Sequence, residues 1–145
     1  MKPRAAWPIL AKKAKEKCDQ AMAALVNGRE KIKNLEQSRS RMEALYADYL
    51  ARSIETEKKS LRMQETVNFR GFLQQIQTLI KRVDIDLQHA KFELDILKAN
   101  LLAAEKKRIQ METLQEQDER RIRDAAAKRE QREMDATGVM LFNMR

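Results

Sequence analysis

The chain has 145 residues, a single-domain length, but only 3 glycines, 2 prolines and 5% aromatic residues, against 36% charged residues. That composition lacks the turn residues and β-branched runs that strands need, and it is the profile of a long-helix protein rather than a compact globule. The 30 basic residues outnumber the 22 acidic ones, for a net charge of +8, which calls for an acidic partner or surface without saying which kind.

Several classes drop out. No apolar run approaches the roughly 18 residues needed to cross a bilayer, and the N-terminus has charges without the apolar centre of a signal peptide. A cytoplasmic protein with no direct membrane insertion is expected. The single Cys18 excludes an internal disulfide and has no metal-ligand spacing around it. His89 stands alone, without an acid, base and nucleophile set, and Gly28, Gly71 and Gly138 are too scattered for a phosphate loop. Neither enzymatic activity nor a cofactor is expected.

Pro3 and Pro8 bracket a short lead, and Pro8 suits a first helical turn, where its missing N–H would have had no partner. From there apolar or small residues recur at alternating steps of three and four: Ala11, Ala14, Cys18, Ala21, Leu25, Gly28, Ile32, Leu35, then Arg39 as an interruption, and Met42, Tyr46, Tyr49 and Ser53. This spacing is the a/d seam of a coiled coil. The expected first helix covers about residues 8–56, followed by a turn at about 57–66, where the pattern blurs into Glu-Thr-Glu-Lys-Lys-Ser.

The stronger seam lies in residues 69–111: Phe69, Leu73, Ile76, Ile80, Val83, Leu87, Ala90, Leu94, Leu97, Leu101, Ala104 and Met111, broken only by Arg108. Folding the chain back near residue 61 pairs positions whose numbers sum to about 122. Leu25 then faces Leu97, Ile32 faces Ala90, Met42 faces Ile80, Tyr49 faces Leu73, and Gly28 faces Leu94, so that large and small residues tend to complement one another. The register also accounts for the fading of the second seam near Gln115, because the first helix begins near Trp7 and Pro8, opposite that point, and beyond it the second helix has nothing to pack against. Residues 117–133 are strong helix formers with interleaved charge, as a solvated overhang requires. The second helix is expected over about residues 67–136, roughly 100 Å at 1.5 Å per residue. Gly138 is its expected stop, and 137–145 form an apolar tail. The expected fold is all-α: one long antiparallel two-helix coiled coil with an overhanging C-terminal part.

Recognition is the chemistry that remains. The basic block Lys12, Lys13, Lys15 and Lys17 is either a solvated helix face or a docking surface for acidic residues. Nucleic acid is not the expected partner, since the block has no interleaved aromatics and basic residues elsewhere are balanced by acids. Phe72 and Leu79 are apolar, a heptad apart, and surplus to the seam. They either cover its edge near the turn or offer a strip to another protein. Ile85, Phe92 and Ile96 form a second surplus stripe on the outer side, suited to a partner or to self-association.

Taken together, the Leu45-Tyr46-Ala-Asp-Tyr49 segment, the Asn68-Phe69-x-x-Phe72-Leu73-x-x-Ile76-x-x-Leu79-Ile80 opening of the second helix, the Lys-Arg-Glu-Gln overhang and Arg132-Glu-Met134-Asp135 resemble FliJ. FliJ is the small coiled-coil component of the bacterial flagellar type III export apparatus. The resemblance extends over most of the chain. It implies a non-catalytic, stalk-like coiled coil similar to the central stalk of rotary ATPases, peripheral at the cytoplasmic side of the inner membrane. The partners it implies are the hexameric export ATPase, the cytoplasmic region of the export gate protein, and export chaperones. Phe72 and Ile76 match the family's gate-contacting positions, with Leu79 on the same strip. The end built from both termini, with Lys12, Lys13, Lys15, Lys17, Arg129 and Arg132, is the part implied to meet the ATPase. The alternatives are an injectisome stalk homologue and a self-associating structural coiled coil with no ATPase partner.

Overall fold

The computed structural model of the protein describes residues 6–59 and 63–144. Two helices, α1 (Ala6–Lys58) and α2 (Met63–Asn143), make up all the regular structure of the described residues. They pack against each other, and no strand occurs among the described residues, so the expected all-α antiparallel pair is what the chain forms.

The helices run further than their sequence boundaries suggested. Pro8 falls in the first turn of α1, so the helix begins at Ala6 rather than at the proline. At its other end the Lys59 N–H donates to the Glu55 carbonyl at 3.2 Å, continuing the helical pattern one residue past Lys58. Glu65 in the first turn of α2 complements the positive end of the helix dipole. The polar stretch assigned to the turn is therefore helical at both of its edges, and its centre, residues 60–62, lies outside the described residues.

Gly138 does not stop α2, contrary to the sequence expectation. The helix continues through it to Asn143, and the Met144 N–H still donates to the Met140 carbonyl at 3.1 Å. A glycine ends a helix when it takes a left-handed conformation; Gly138 keeps a helical one, and its cost of about 1 kcal/mol there is too small to break the helix. Thr137, just before it, donates its hydroxyl hydrogen to the Glu133 carbonyl at 2.9 Å, which satisfies that group without leaving the helix. The apolar segment expected as a tail is thus the end of α2.

The described chain packs as two units. In the unit Met22–Ala99, Leu25 from α1 and Leu73, Ile76, Val83, Leu87 and Ala90 from α2 are buried. The register is read from direct approaches. A Cβ placed on Gly28 would meet Leu97 Cδ1 at 2.9 Å and Leu94 Cδ1 at 3.3 Å, so these leucines close directly over the glycine. Arg39, the residue that interrupts the first seam, swings out to one flank. Its Nε lies 2.7 Å from Asp84 of α2 and its Nη2 lies 3.5 Å from Glu43. Seam interruption is tolerated because the long side chain carries its charge to the edge.

In the other unit, formed by the chain up to Ala21 and from Asn100 onward, Ala11, Ala14 and Met111 make a small core. Trp7 and Leu114 pack against it from the side. The second interruption, Arg108, resolves like the first. It donates from Nη1 to both carboxylate oxygens of Glu112, at 3.1 and 3.2 Å. Its pKa is raised above the ordinary value, first by that hydrogen bond and next by the neighbouring Cys18. From residue 126 to 144 every side chain of α2 is exposed, the overhang that the fading seam predicts.

Candidate protein-docking strip beside the seam

The heptad sets the strip's position. Ile76 belongs to the seam and is only 2% exposed, closed over by α1. Phe72 and Leu79 each come one residue before a seam position (Leu73 and Ile80), so they emerge on one flank of the helix pair. There they are 37% and 46% exposed. The surface offered by the three sequence-predicted residues is therefore Phe72 with Leu79, and Ile76 backs it from inside.

Phe72 is held in place from the other helix. Its ring lies 4.5 Å from the Tyr49 ring, centroid to centroid, at 51°, and the same tyrosine touches Phe69 at 6.2 Å and 54°. The Arg52 guanidinium covers Tyr49 at 5.4 Å from its centroid and pairs with Asp48 at 3.3 Å. Tilted aromatic pairs of this kind add about 0.5–1.5 kcal/mol beyond the area they bury. Buried Ser53, at a facing position to Phe69, is small enough to let these rings share one end of the seam.

Sequence reasoning missed Tyr49 and Arg52 as parts of this site. Tyr49 occupies a seam position, and its ring serves both the seam and the flank. The only sequence signal was the tyrosine pair itself. Tyr46, three residues earlier, goes to the opposite flank, where its hydroxyl oxygen accepts from Gln77 Nε2 at 3.0 Å.

The predicted basic residues are exposed but not gathered into one patch. Lys12, Lys13, Lys15 and Lys17 surround Ala11 and Ala14 on the solvent side of α1 and make no ion pair among the described residues. Arg129 and Arg132 stand on the overhang, about 30 Å further along α2 than the level of the lysines. There Arg129 pairs with Glu133 at 3.7 Å. His89 is exposed, and no group of residues suited to a metal ion occurs among the described residues. Among the described residues no helix is long and apolar enough to cross a membrane.

The strip, the two-helix seam and the charged overhang fit a protein that works by binding, and comparison with known families agrees. The model of the flagellar FliJ protein matches residues 9–145. The chain belongs to the FliJ family. No curated protein and no solved structure matches it. FliJ membership makes the chain a coiled-coil component of flagellar protein export, in a family of non-catalytic structural components. Its partners in that role belong to the flagellar export apparatus.

Proposed function

We propose that the protein is a stalk that binds the hexameric export ATPase at one site and the cytoplasmic region of the export gate protein at another, and that it assists in handling export chaperones at the cytoplasmic side of the inner membrane. The observation that carries this reading is Phe72: half-exposed, yet fixed by Tyr49 in one orientation, it is a pre-ordered apolar anchor of the kind that dominates protein interfaces. Leu79 extends the anchor, and Ile76 supports both from the seam.

Replacing Phe72 and Leu79 with Ala should weaken binding to the gate region about a hundredfold while helicity stays near that of the unaltered protein. Undiminished binding would remove the strip from the gate site. For the ATPase, the unpaired Lys12, Lys13, Lys15 and Lys17 support an electrostatic contact, with Arg129 and Arg132 as a second point of attachment. Neutralising the four lysines should then lower affinity and flatten its dependence on salt. The flagellar family match favours the flagellum over the injectisome.

A second reading has its own support. Phe92 is 67% exposed, and Ile85 and Ile96 beside it are exposed as well, a stripe that water covers in a lone helix pair. Self-association through this stripe predicts a dimer in sedimentation at micromolar concentration, and a monomer there would exclude it.

A further inference from the structure

Ion pairs identify the two flanks of the Met22–Ala99 unit. Lys31 Nζ meets Glu93 at 3.6 Å on one side, and Arg70 meets Glu57 at 3.8 Å on the other. In an antiparallel pair each heptad step forward along α1 is matched by one step back along α2. Two steps from Lys31 and Glu93 bring Leu45 opposite Leu79, and a third brings Arg52 opposite Phe72. The last placement agrees with Phe72 and Arg52 both lying against the Tyr49 ring. Leu45 is 41% exposed and has no place in the seam.

We propose that Leu45 completes the Phe72 and Leu79 strip into a docking surface spanning both helices, and that this surface takes a short protein segment whose apolar side chains are followed by acidic ones. The inference rests on the gate reading above and specifies what that partner must present. Leu45 turns a line of two residues on one helix into a patch that an apolar face can cover. The charge requirement comes from its rim. Arg41 lies one turn before Leu45 and Arg82 one turn after Leu79, so the antiparallel register sets them at the same level. Both are exposed, and neither makes an ion pair among the described residues. Asp86, a turn beyond Arg82, is a single carboxylate against two guanidiniums. At the opposite end of the patch Arg52 is already engaged with Asp48. The free positive charge therefore sits at the end away from Phe72, and carboxylates on the incoming segment belong there.

The test measures binding of the full chain to the purified cytoplasmic region of the export gate protein. Leu45→Gln, which keeps helix propensity, should weaken binding about tenfold, with helicity and melting temperature unchanged. Leu50→Gln, an equally exposed leucine on the opposite flank, is the control and should bind as the unaltered protein does. The double variant Arg41→Gln, Arg82→Gln should also bind more weakly and lose part of the salt dependence. Equal binding by Leu45→Gln while Phe72→Ala weakens it would overturn the two-helix surface and leave the gate reading standing. Equal losses in Leu45→Gln and Leu50→Gln would overturn it too, because the effect would not be confined to one flank. Unchanged affinity and salt dependence in the arginine double variant would overturn the acidic requirement. No binding by the unaltered chain would overturn the gate reading and this inference together.

Discussion

Tyr49 of α1 and Phe72 of α2 meet with ring centroids 4.5 Å apart and planes tilted by 51°. The contact joins a residue of the seam to a residue outside it. Structure and binding are therefore coupled at Phe72. Phe72→Ala should cost stability even without a partner, on the order of 1–2 kcal/mol for a half-exposed aromatic with one tilted neighbour. A double-mutant cycle with Tyr49→Ala, measured by urea denaturation, should return a coupling of about 0.5–1.5 kcal/mol. Additive losses would mean that the rings do not support each other.

Gly28 makes a size test of the seam. Alanine there gains about 1 kcal/mol of helix propensity, but its Cβ would lie 2.9 Å from Leu97 Cδ1. That methyl is the far end of a half-buried side chain and can rotate away at a similar cost. Gly28→Ala should leave stability within about 0.5 kcal/mol of the starting value, whereas Gly28→Leu, with no room to relax, should lose about 1–3 kcal/mol. Thermal unfolding followed by circular dichroism distinguishes the two.

The Arg39 and Asp84 pair, at 2.7 Å, is the shortest ion pair between the helices among the described residues. Both side chains are more than one-third exposed, so solvent screens the attraction. A double-mutant cycle with Arg39→Gln and Asp84→Asn should give a coupling below about 1 kcal/mol, shrinking further in 0.5–1 M salt. The pair serves register more than stability, since a shifted alignment would leave Arg39 without this carboxylate.

The overhang carries a prediction about local stability. Residues 126–144 bury nothing against α1, so their helix rests on propensity and on pairs such as Arg129 with Glu133. Hydrogen exchange should show their amides opening orders of magnitude faster than those around Leu73, Ile76 and Leu87. Cutting the chain after residue 125 should leave the melting temperature nearly unchanged. A marked loss would mean that the overhang packs on something.

The period, the antiparallel register and the two seam interruptions were legible without coordinates, because a spacing of 3.5 residues admits one stripe and the alternation of large and small residues tends to favour one alignment of two such stripes. The pairing of Gly28 with Leu94 follows from that logic, whereas the closer approach of Leu97, placed opposite Leu25 by the register, does not. The site was legible only in part. Phe72 and Leu79 stood out as surplus, but nothing local says that Tyr49 turns toward Phe72 while Tyr46 turns toward Gln77, or that Ile76 closes over completely. Flank membership depends on the hand of the supercoil and on the antiparallel direction of the partner, properties of two helices together and not of either alone. Gly138 shows the reverse case, a local signal that failed because the glycine stays in helical conformation, at a cost of only about 1 kcal/mol. The sequence by itself determined that these helices pair and in which register. Only the tertiary structure decided which side chains the pair leaves outside and braces for a partner, since exposure arises from how the two surfaces meet.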